Sequence, residues 1–469
     1  MIDLSSFRGL SLALFGLGRS GLSSADALKA SGAKVLAWDD NEKSRQRAAA
    51  AGITLADLTT CDWSSFSALI LSPGIPLDHP EPHRVVRLAR DNGVEIIGDM
   101  ELFARRESPA RCIGITGTNG KSTTTALIGH ILDAASGNPV QVGGNLGVPV
   151  LELEPLASGG SYVLEMSSYQ LDLTDSLVFD VAVLLNLSPD HLERHGGMAG
   201  YIAAKKRIFN GQNASQWAII GVDDDHCLKL YEELKNTATG TTRGQLIAIS
   251  GHSVVPGGVY VDGGVLYDDS QVGQAQAVIS MDQLPRLPGS HNAQNVAAAY
   301  GVAKTMGLAR QAIIAALRTF PGLAHRQELL AVIDGVTYVN DSKATNGEAA
   351  ARALACYGDI FWIAGGRAKQ GGLEATKPYW DRVRHAYLIG EAANDFAATL
   401  ESHVPVAVSG DLSNALGQAR QGALVENGGV VLLSPACASF DQFDNFEARG
   451  DAFRDLVHAL PGQRREVAS

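Results

Sequence analysis

The sequence has little of what marks a secreted, membrane-bound or nucleic-acid-binding protein. Its five cysteines are scattered and form no CxxC pair, so we expect neither a disulfide framework nor a structural zinc site. No apolar run reaches the roughly 18 residues of a membrane span, and MIDLSSFRGL lacks the charged head and apolar stretch of a secretory signal. Acidic residues outnumber basic ones, 50 to 38, which argues against nucleic-acid or membrane-surface partners. These absences favour a cytoplasmic protein without nucleic-acid or membrane partners, and we expect small-molecule substrates and a monomer.

What the sequence does contain is an alternation of short apolar β-type runs with helix-type segments. Runs such as SLALFG, AKVLAW and RCIGITG predict parallel sheets with crossover helices, whereas GGVYVDGGVLYDD predicts a hairpin. A chain of 469 residues is too long for one core. We therefore predict an α/β fold of three domains, 1–99, 100–322 and 323–469, each a largely parallel doubly wound sheet. The central domain is expected to be P-loop-like, with a small antiparallel patch.

A first glycine-rich loop follows the run SLALF. Gly16, Gly18 and Gly21 form a GxGxxG pattern, in which backbone amides at a helix N-terminus can approach a phosphate closely. Asp39 ends the next β-type run, where it could accept a ribose hydroxyl, and the turn 72–74 follows the third. The pattern alone leaves a redox dinucleotide, another nucleotide and a purely structural turn open, although nothing downstream resembles a hydride-transfer site.

A second glycine-rich loop, TGTNGKST at residues 116–123, lies between the run RCIGI and a helix-type stretch. Its small residues let backbone amides wrap phosphate oxygens, Lys121 supplies a cation, and the Ser122 hydroxyl suits Mg²⁺. Ile115 replaces the first glycine of GxxxxGK[ST], yet the strand–loop–helix context predicts a bound nucleoside triphosphate. The loop does not by itself distinguish bond formation from motion or signalling.

Two downstream residues are candidates for the chemistry. Glu165 ends the run SYVLEM, where a carboxylate can contact a second Mg²⁺, although a solvated strand end is an equally good interpretation. His191 lies in the loop NLSPDHLERH after another β-type run. A lone histidine is usually an ordinary surface residue, so its case depends on its neighbours.

These segments occur in the order and spacing of the Mur ligase family, which the sequence resembles over its whole length. The resemblance rests on TGTNGKST, EMSSYQL, NLSPDHLERH and YIAAK, and above all on NDSKATN at 340–346 and SPACASFDQF at 434–443. The last two look like the branch that adds D-glutamate. The resemblance implies an ATP-dependent amide ligase of peptidoglycan precursor synthesis, which converts the carboxylate of UDP-N-acetylmuramoyl-L-alanine into an acyl phosphate and joins it to D-glutamate.

The same resemblance implies the site residues and their ligands. Catalytic roles fall to Lys121, His191, Lys205 and Arg326. ATP would be bound by Gly117, Thr118, Asn119, Gly120, Lys121, Ser122, Thr123, Asn292, Asn295, Arg326 and Asp341. Magnesium, as two ions, would be bound by Ser122, Glu165, His191 and Lys205. The nucleotide sugar would contact Gly16, Gly18, Arg19, Ser20, Asp39, Ser72, Pro73, Gly74, Asn145 and Gln170, and D-glutamate would contact Thr345, Lys369, Ser439, Phe440 and Phe446.

Lys205 matches the family's lysine that carries a CO₂-derived carbamate. An ordinary lysine, with a pKa of about 10.4, is cationic at neutral pH, whereas magnesium and a triphosphate call for anionic ligands beside the metal. Carbamylation replaces the positive charge with a negative one. An unmodified helix lysine is the alternative interpretation, and the neighbouring Lys206 is expected to be one.

Other functions would use only parts of this pattern. A folylpolyglutamate synthetase would share the triphosphate loop and the lysine but would lack the GxGxxG domain. A nicotinamide-dependent oxidoreductase would use Gly16–Gly21 and Asp39 but would leave GTNGKST unexplained. A P-loop switch or motor protein would bind ATP without forming a bond, and amino-acid-dependent phosphate release distinguishes a ligase from it.

Overall fold

The computed structural model describes residues 2–106, 108–145, 147–237, 245–271, 273–369 and 371–465. It forms two compact units, one of Met1–Met281 with Ser290–Leu317 and the other of Asp282–Gly289 with Arg318–Ser469. Among the described residues, no helix combines the length and apolar character needed to cross a membrane.

The first sheet has four parallel strands in the order β2-β1-β3-β4. The chain leaves β1 for one side and later returns to its other side, so the loop after β1 lies at a switch point where α/β proteins bind ligands. The strands are β1 Ser11–Phe15, β2 Lys34–Trp38, β3 Ala68–Leu71 and β4 Glu95–Ile97. The helices are α1 Arg19–Ala30, α2 Glu42–Ala50, α3 Arg84–Asp91 and α4 Asp99–Ala104.

The second sheet has nine strands in the order β13-β12-β11-β10-β9-β8-β5-β7-β6. Its strands are β5 Arg111–Thr116, β6 Val140–Gly144, β7 Ser161–Glu165, β8 Val181–Leu184, β9 Trp217–Gly221, β10 Gln245–Ser250, β11 Val259–Asp262, β12 Val265–Asp268 and β13 Gln276–Ser280. Its helices are α5 Lys121–Ser136, α6 Ser168–Asp172, α7 Leu192–His195, α8 Met198–Lys206, α9 Asp225–Thr237, α10 His291–Thr305 and α11 Arg310–Thr319.

The antiparallel patch predicted for this sheet is confirmed. β11 and β12 form a hairpin closed by Gly263 and Gly264, whose φ angles of 53° and 77° lie in the left-handed region that such a two-residue turn requires. β13 then pairs with β12, also antiparallel. The strands from β10 to β6 are parallel, so the phosphate-type loop after β5 lies at the carboxyl edge of the parallel part.

One hydrophobic core joins the first two sheets. Leu12 and Ile70 of the first sheet belong to the same buried cluster as Tyr162 and Leu164 of the second. Packing between the two parts is close, since a Cβ on Gly98, which follows β4, would come within 2.9 Å of the Leu173 Cβ, which lies between β7 and β8. Burial of apolar surface therefore stabilises the contact between the two sheets.

The third sheet, in the second unit, has the order β18-β17-β16-β19-β15-β14-β20. β14 runs antiparallel to both of its neighbours, β15 and β20, and the other described pairs in this sheet are parallel. Buried clusters cover both faces of the sheet. The strands are β14 Glu328–Ile333, β15 Val336–Asn340, β16 Ile360–Gly365, β17 Val383–Ile389, β18 Val406–Gly410, β19 Gly429–Leu433 and β20 Arg464–Arg465. The helices are α12 Gly347–Leu354, α13 Ala393–Leu400, α14 Leu412–Val425 and α15 Phe446–His458. The predicted class of three largely parallel α/β sheets is confirmed, while the domain limits 1–99, 100–322 and 323–469 stay predictions.

Candidate active site

The loop between β5 and α5 has the shape of a phosphate cradle. Gly117 and Gly120 have φ angles of 149° and 82°, which side chains rarely adopt, and a Cβ on Gly120 would run into the Asn295 amide oxygen. Lys121 then opens a helix of 16 residues. The amides of the first turn and the helix dipole make this end of α5 attractive to an anion.

Lys121 folds back onto this loop. Its Nζ donates to the carbonyl oxygens of Gly117 and Thr118, both at 2.8 Å. The next residue, Ser122, is buried. The ammonium therefore lies directly against the loop that a triphosphate would fill.

Lys205, near the end of α8, contacts the same loop and is only 1% exposed. Its Nζ donates to the Gly117 carbonyl at 2.9 Å and to the Thr116 hydroxyl at 3.2 Å. Burial, followed by the charge of Lys121, holds the pKa of Lys205 well below its ordinary value. This environment destabilises the ammonium form relative to a lysine in solvent.

Glu165, at the end of β7, is 2% exposed. Its Oε1 accepts a hydrogen bond from the side-chain Nδ2 of Asn145 at 2.6 Å. Its Oε2 is buried and accepts no hydrogen bond from the described residues. A buried carboxylate oxygen without a donor suits a cation. The described residues include no cluster of three histidine, cysteine or acidic side chains positioned to hold a metal. Magnesium shared between one carboxylate and substrate phosphates nevertheless fits Glu165 and Ser122.

His191 caps α7 in a left-handed conformation, with φ of 52°. Its side chain is half exposed and lies 3.6 Å from the Asp190 carboxylate, while its ring lies 5.1 Å from that of Tyr169. Tyr169 and Gln170 belong to α6, where Gln170 completes a capping box with Ser167. The strained loop therefore presents an exposed imidazole beside the helix that carries Gln170.

The first glycine-rich loop is held tightly by its neighbours. The Ser72 hydroxyl donates to the Gly16 carbonyl at 2.7 Å, and a Cβ on Gly16 would come within 2.6 Å of the Ser72 Cβ. Asp39 accepts the Leu17 amide at 2.6 Å and the Asn41 amide at 2.7 Å. Both Asp39 carboxylate oxygens are thus engaged by backbone, and contact of this residue with a ribose stays a prediction. Gly18 is the N-cap of α1, whose first turn contains Arg19 and Ser20.

The predicted adenosine residues of the first unit lie on α10, next to the triphosphate-type loop. The Thr124 hydroxyl donates to Asn295 Oδ1 at 3.1 Å, and the Asn295 amide donates to Asn292 Oδ1 at 2.9 Å. Asn292 and Asn295 are both buried. Gly117, Gly120, Lys121, Glu165 and Lys205 are therefore gathered with them in one unit.

In the second unit, Asp341 follows β15 and is fully enclosed. It accepts the Ser434 hydroxyl at 2.8 Å and the Gln327 amide at 3.1 Å. Burial is the main cause that raises the pKa of Asp341 to about 7, while these donors and the charge of Arg326 oppose the rise. Arg326 lies beside it in the turn that precedes β14.

The predicted amino-acid residues lie on loops that follow strands of the third sheet. Ser439 is buried and Phe440 is 64% exposed, while Lys369 is exposed on the loop after β16. Phe446 opens α15, and its ring lies 5.6 Å from Lys343 Nζ. The N–H and C=O groups of Arg367 and Ala438 pair at 2.9 and 3.0 Å, so the Lys369 and Ser439 loops are joined. Thr345 donates its amide to the Lys343 carbonyl at 2.9 Å.

Sequence reasoning missed Arg449, which is 1% exposed in α15. Its guanidinium donates to the Ser342 hydroxyl at 3.0 Å and to the Ser342 and Cys437 carbonyls at 2.8 and 3.1 Å. Its Nη1 is buried and makes no hydrogen bond within the described residues, and burial lowers the pKa of Arg449 to about 10. Arg449 thus ties together the two C-terminal motifs.

A second missed group supports the triphosphate-type loop. Asn119 donates its amide to Asn186 Oδ1 at 2.8 Å, Asn186 donates to Gln294 at 2.9 Å, and Gln294 donates to Asp223 at 2.8 Å. Asn119 and Asn186 belong to the segments TGTNGKST and NLSPDHLERH, but the connection through Gln294 to Asp223 joins positions that are widely separated in sequence. Their signal is visible only once the strands are placed side by side.

Comparison with known proteins places this geometry in a family. Residues 115–303 match the Mur ligase middle domain. The chain is 51% identical to the UDP-N-acetylmuramoylalanine–D-glutamate ligase of Caulobacter vibrioides, with 98% of each chain covered. It is 49% identical to the ligase of that name from Phenylobacterium zucineum, with both chains covered completely.

Solved structures of Mur ligases share the fold at low sequence identity. A MurF ligase from Thermotoga maritima in complex with ADP aligns with a TM-score of 0.55 and 15% identity, covering 98% of this chain and 97% of the other. UDP-N-acetylmuramate–alanine ligase from the same organism aligns with a TM-score of 0.55 and 15% identity, covering 96% and 99%. At such identity these two structures bear on the fold alone.

Proposed function

The chain belongs to the Mur ligase family, and we propose on that premise that it catalyses the ATP-dependent addition of D-glutamate to UDP-N-acetylmuramoyl-L-alanine. The observation that carries the proposal is a phosphate cradle with a buried lysine and carboxylate, in a chain about half identical over its length to ligases of that name. A free carboxylate is a poor electrophile. Transfer of the γ-phosphoryl group of ATP gives an acyl phosphate and ADP, and the D-glutamate amine then displaces phosphate to form the amide.

Phosphoryl transfer depends on charge neutralisation around the γ-phosphate. We assign the triphosphate to Gly117, Thr118, Asn119, Gly120, Lys121, Ser122 and Thr123. Lys121 Nζ already lies at this loop, held by two carbonyls, and would exchange them for phosphate oxygens. Arg326 is proposed as a second cation for the transferring group.

Magnesium, which the family implies, would be held by Ser122 and Glu165, with His191 and Lys205 for a second ion. The Glu165 oxygen without a donor is the observation that supports this assignment. When bound, Mg²⁺ neutralises charge on the phosphate oxygens. Asn145, bonded to the other oxygen at 2.6 Å, orients the carboxylate.

Lys205 is proposed to carry a carbamate. Its neutral amine would add to CO₂, forming an N–C bond and releasing one proton to solvent, which converts a neutral amine into an anionic carbamate beside Lys121. Burial and the carbonyl and hydroxyl acceptors at 2.9 and 3.2 Å support the proposal, because they place the nitrogen beside the triphosphate-type loop.

The two substrates that are joined are assigned to the remaining loops. The diphosphate of the nucleotide sugar would lie on Gly16, Gly18, Arg19 and Ser20, opposite the 72–74 turn, with Asn145, Gln170 and His191 toward its peptide end. Adenosine would contact Asn292, Asn295 and Asp341. D-Glutamate would be held by Thr345, Lys369, Ser439, Phe440 and Phe446, since its two carboxylates require cations and hydrogen-bond donors. We further propose that the enzyme acts in the cytoplasm as a monomer, which light scattering of the purified protein would test.

Phosphate release tests the function directly. Purified enzyme with ATP, Mg²⁺ and UDP-N-acetylmuramoyl-L-alanine should release phosphate when D-glutamate is added and not when L-glutamate, D-alanine or L-lysine replaces it. If another amino acid alone supports release, the assigned specificity is wrong and the ligase assignment survives. If no amino acid increases ATP consumption, the ligase assignment is wrong.

A further inference from the structure

Arg194 of α7 binds the backbone of the turn that follows β3 in the first sheet. Its Nη1 donates to the Gly74 carbonyl at 2.8 Å, and its Nη2 donates to the carbonyls of Ile75 at 2.9 Å and Pro73 at 3.4 Å. One guanidinium therefore binds consecutive peptides of the turn that follows β3. These hydrogen bonds join a helix of the second sheet to a turn of the first, within one compact unit, and they are not an ion pair.

The other side of Arg194 faces the candidate metal loop. Its Cζ lies 4.6 Å from the Tyr169 ring centroid, and that ring lies 5.1 Å from His191. His191 caps the same short helix, α7, which has four residues and is followed by Gly196 and Gly197 with φ angles of 65° and 109°. So short a helix has little stability of its own, and contacts with its side chains fix its position.

We propose that Arg194 is a positioning residue that holds the turn at 72–75 in the conformation that binds the nucleotide sugar. Because the C=O and N–H of a trans peptide point in opposite directions, fixing the carbonyls of Pro73 and Gly74 fixes the direction of the N–H groups of Gly74 and Ile75. The Ile75 carbonyl precedes Pro76, which has no N–H, so its hydrogen bond with Arg194 fixes only the course of the chain out of the turn. A turn that binds the nucleotide sugar would thereby be preorganised. The proposal rests on the proposed function, which assigns the nucleotide sugar to this turn.

Lysine cannot replace arginine in this role. The planar guanidinium of arginine has several N–H donors in fixed directions and can bind several carbonyls at once. The lysine ammonium is a single compact donor group on a flexible chain and cannot reach all of them. Arg207 is a matched control, because its Nε and Nη2 also donate to carbonyls, those of Leu171 at 2.7 Å and Thr174 at 3.0 Å. Both acceptors lie in the same domain as Arg207.

The test compares Arg194→Lys and Arg194→Ala with Arg207→Lys. Both Arg194 variants should raise the KM and the calorimetric Kd for UDP-N-acetylmuramoyl-L-alanine about tenfold, through loss of charge-assisted hydrogen bonds. The KM values for ATP and D-glutamate should stay at the wild-type level. Guanidinium ion added to Arg194→Ala should recover part of the lost affinity, and Arg207→Lys should bind the nucleotide sugar like the wild type.

Two results would overturn the proposal. One is wild-type affinity of Arg194→Lys for the nucleotide sugar. The other is a parallel loss for all three substrates with no effect of guanidinium, which would mean a general structural role. If the wild type bound the nucleotide sugar but released no phosphate with any amino acid, the proposed function would fail, while the calorimetric comparison would still decide the role of Arg194.

Discussion

Lys205 shows how the fold can change the chemistry of one side chain. A buried ammonium beside a second ammonium is unfavourable, and the acceptors of Lys205 are a neutral carbonyl and a hydroxyl. Lys206, one position along the helix, pairs instead with Glu233 at 2.7 Å near the surface. Adjacent lysines on α8 therefore have different electrostatic environments, and only the buried one suits reaction with CO₂.

Replacement of Lys205 by alanine should abolish most activity. We expect Lys205→Ala to lower kcat at least about a hundredfold, because a metal ligand is lost. Millimolar acetate or formate should recover part of it by supplying a carboxylate in the vacated space, as measured by phosphate release. Lys206→Ala should behave like the wild type. Unimpaired turnover by Lys205→Ala would rule out the carbamate.

Asp99 should make stability depend on pH. It is 5% exposed, and burial raises its pKa to about 6 from an ordinary 3.8. The folded state therefore binds the proton more tightly, so this group's stabilisation is complete below about pH 4 and is lost as pH rises through about 6. Between those limits the free energy of unfolding should fall by up to about 3 kcal/mol, and Asp99→Asn should remove that fall.

Urea unfolding at several pH values between 4.5 and 7.5 would measure the Asp99 effect. The Met100 amide, which donates to Asp99 at 2.9 Å, keeps an acceptor in the Asn variant. Asp62→Asn alters an exposed carboxylate whose pKa is lowered by hydrogen bonds from Ser64, and it should leave the fall between pH 4 and 6 in place. Parallel pH profiles for wild type and Asp99→Asn would contradict the assignment.

Residues that act by supporting others were the ones the sequence could not reveal. Arg449 lies in a helix whose sequence, FEARGDAF, is typical of an ordinary amphipathic surface helix. Its guanidinium is nevertheless buried between the loops that contain Ser342 and Cys437. Gln294 lies between the predicted adenosine residues Asn292 and Asn295. Its supporting role becomes visible only through its hydrogen bonds with Asn186 and Asp223. Such roles depend on contacts between distant segments, which neither composition nor spacing encodes.

Local elements were predictable where turn chemistry and strand pattern agree. The hairpin of β11 and β12 follows from two glycines between alternating β-type runs, and the cradle after β5 follows from GTNGKST between a strand and a helix. The antiparallel direction of β14 was not predicted. An apolar run such as ELLAVI does not indicate whether its strand is parallel or antiparallel to its neighbours. Here the two-residue connection Asp334–Gly335 makes β14 antiparallel to β15.

Alanine at the two ends of α5 should separate binding from stability. Gly120 and Gly137 are both left-handed, with φ of 82° and 68°, but only Gly120 has no room for a Cβ, whereas nothing lies within 4 Å at Gly137. Gly120→Ala should weaken ATP binding at least about tenfold, since backbone strain and the collision with Asn295 distort the cradle. Gly137→Ala should cost roughly 1 kcal/mol of stability and leave ATP affinity unchanged.

Nucleotide titration and thermal melting of both glycine variants would measure this contrast. Equal loss of ATP affinity in the two variants would mean that helix stability, and not the shape of the cradle, controls binding. Wild-type affinity in Gly120→Ala would place the triphosphate elsewhere.

At the scale of the molecule, one rule places most of the candidate loops. The loops after β1, β5, β15, β16 and β19 all follow the carboxyl ends of parallel strands. Ligands bind at that edge of α/β sheets because loops diverge there and helix N-termini face it. Strand ends can be recognised in a sequence, which is why both glycine-rich loops, Glu165 and His191 could be singled out from the residues themselves. The candidates on the third sheet came from the family resemblance, and the contacts that support all of these residues could not be predicted.

This rule leads to a prediction about the whole chain: each ligand should slow hydrogen exchange in a different set of peptides. In hydrogen exchange, UDP-N-acetylmuramoyl-L-alanine should protect peptides that contain 16–20 and 72–75, and a non-hydrolysable ATP analogue with Mg²⁺ should protect 116–124. D-Glutamate, added with both, should protect 340–346 and 434–443. Bound ligand suppresses the opening of the segments it contacts, so slowed exchange reports the site. L-Glutamate is the control and should add no protection. Protection by D-glutamate that appeared at 16–20 and not in the C-terminal loops would reverse the assignment of the nucleotide sugar to the first sheet and of the amino acid to the third.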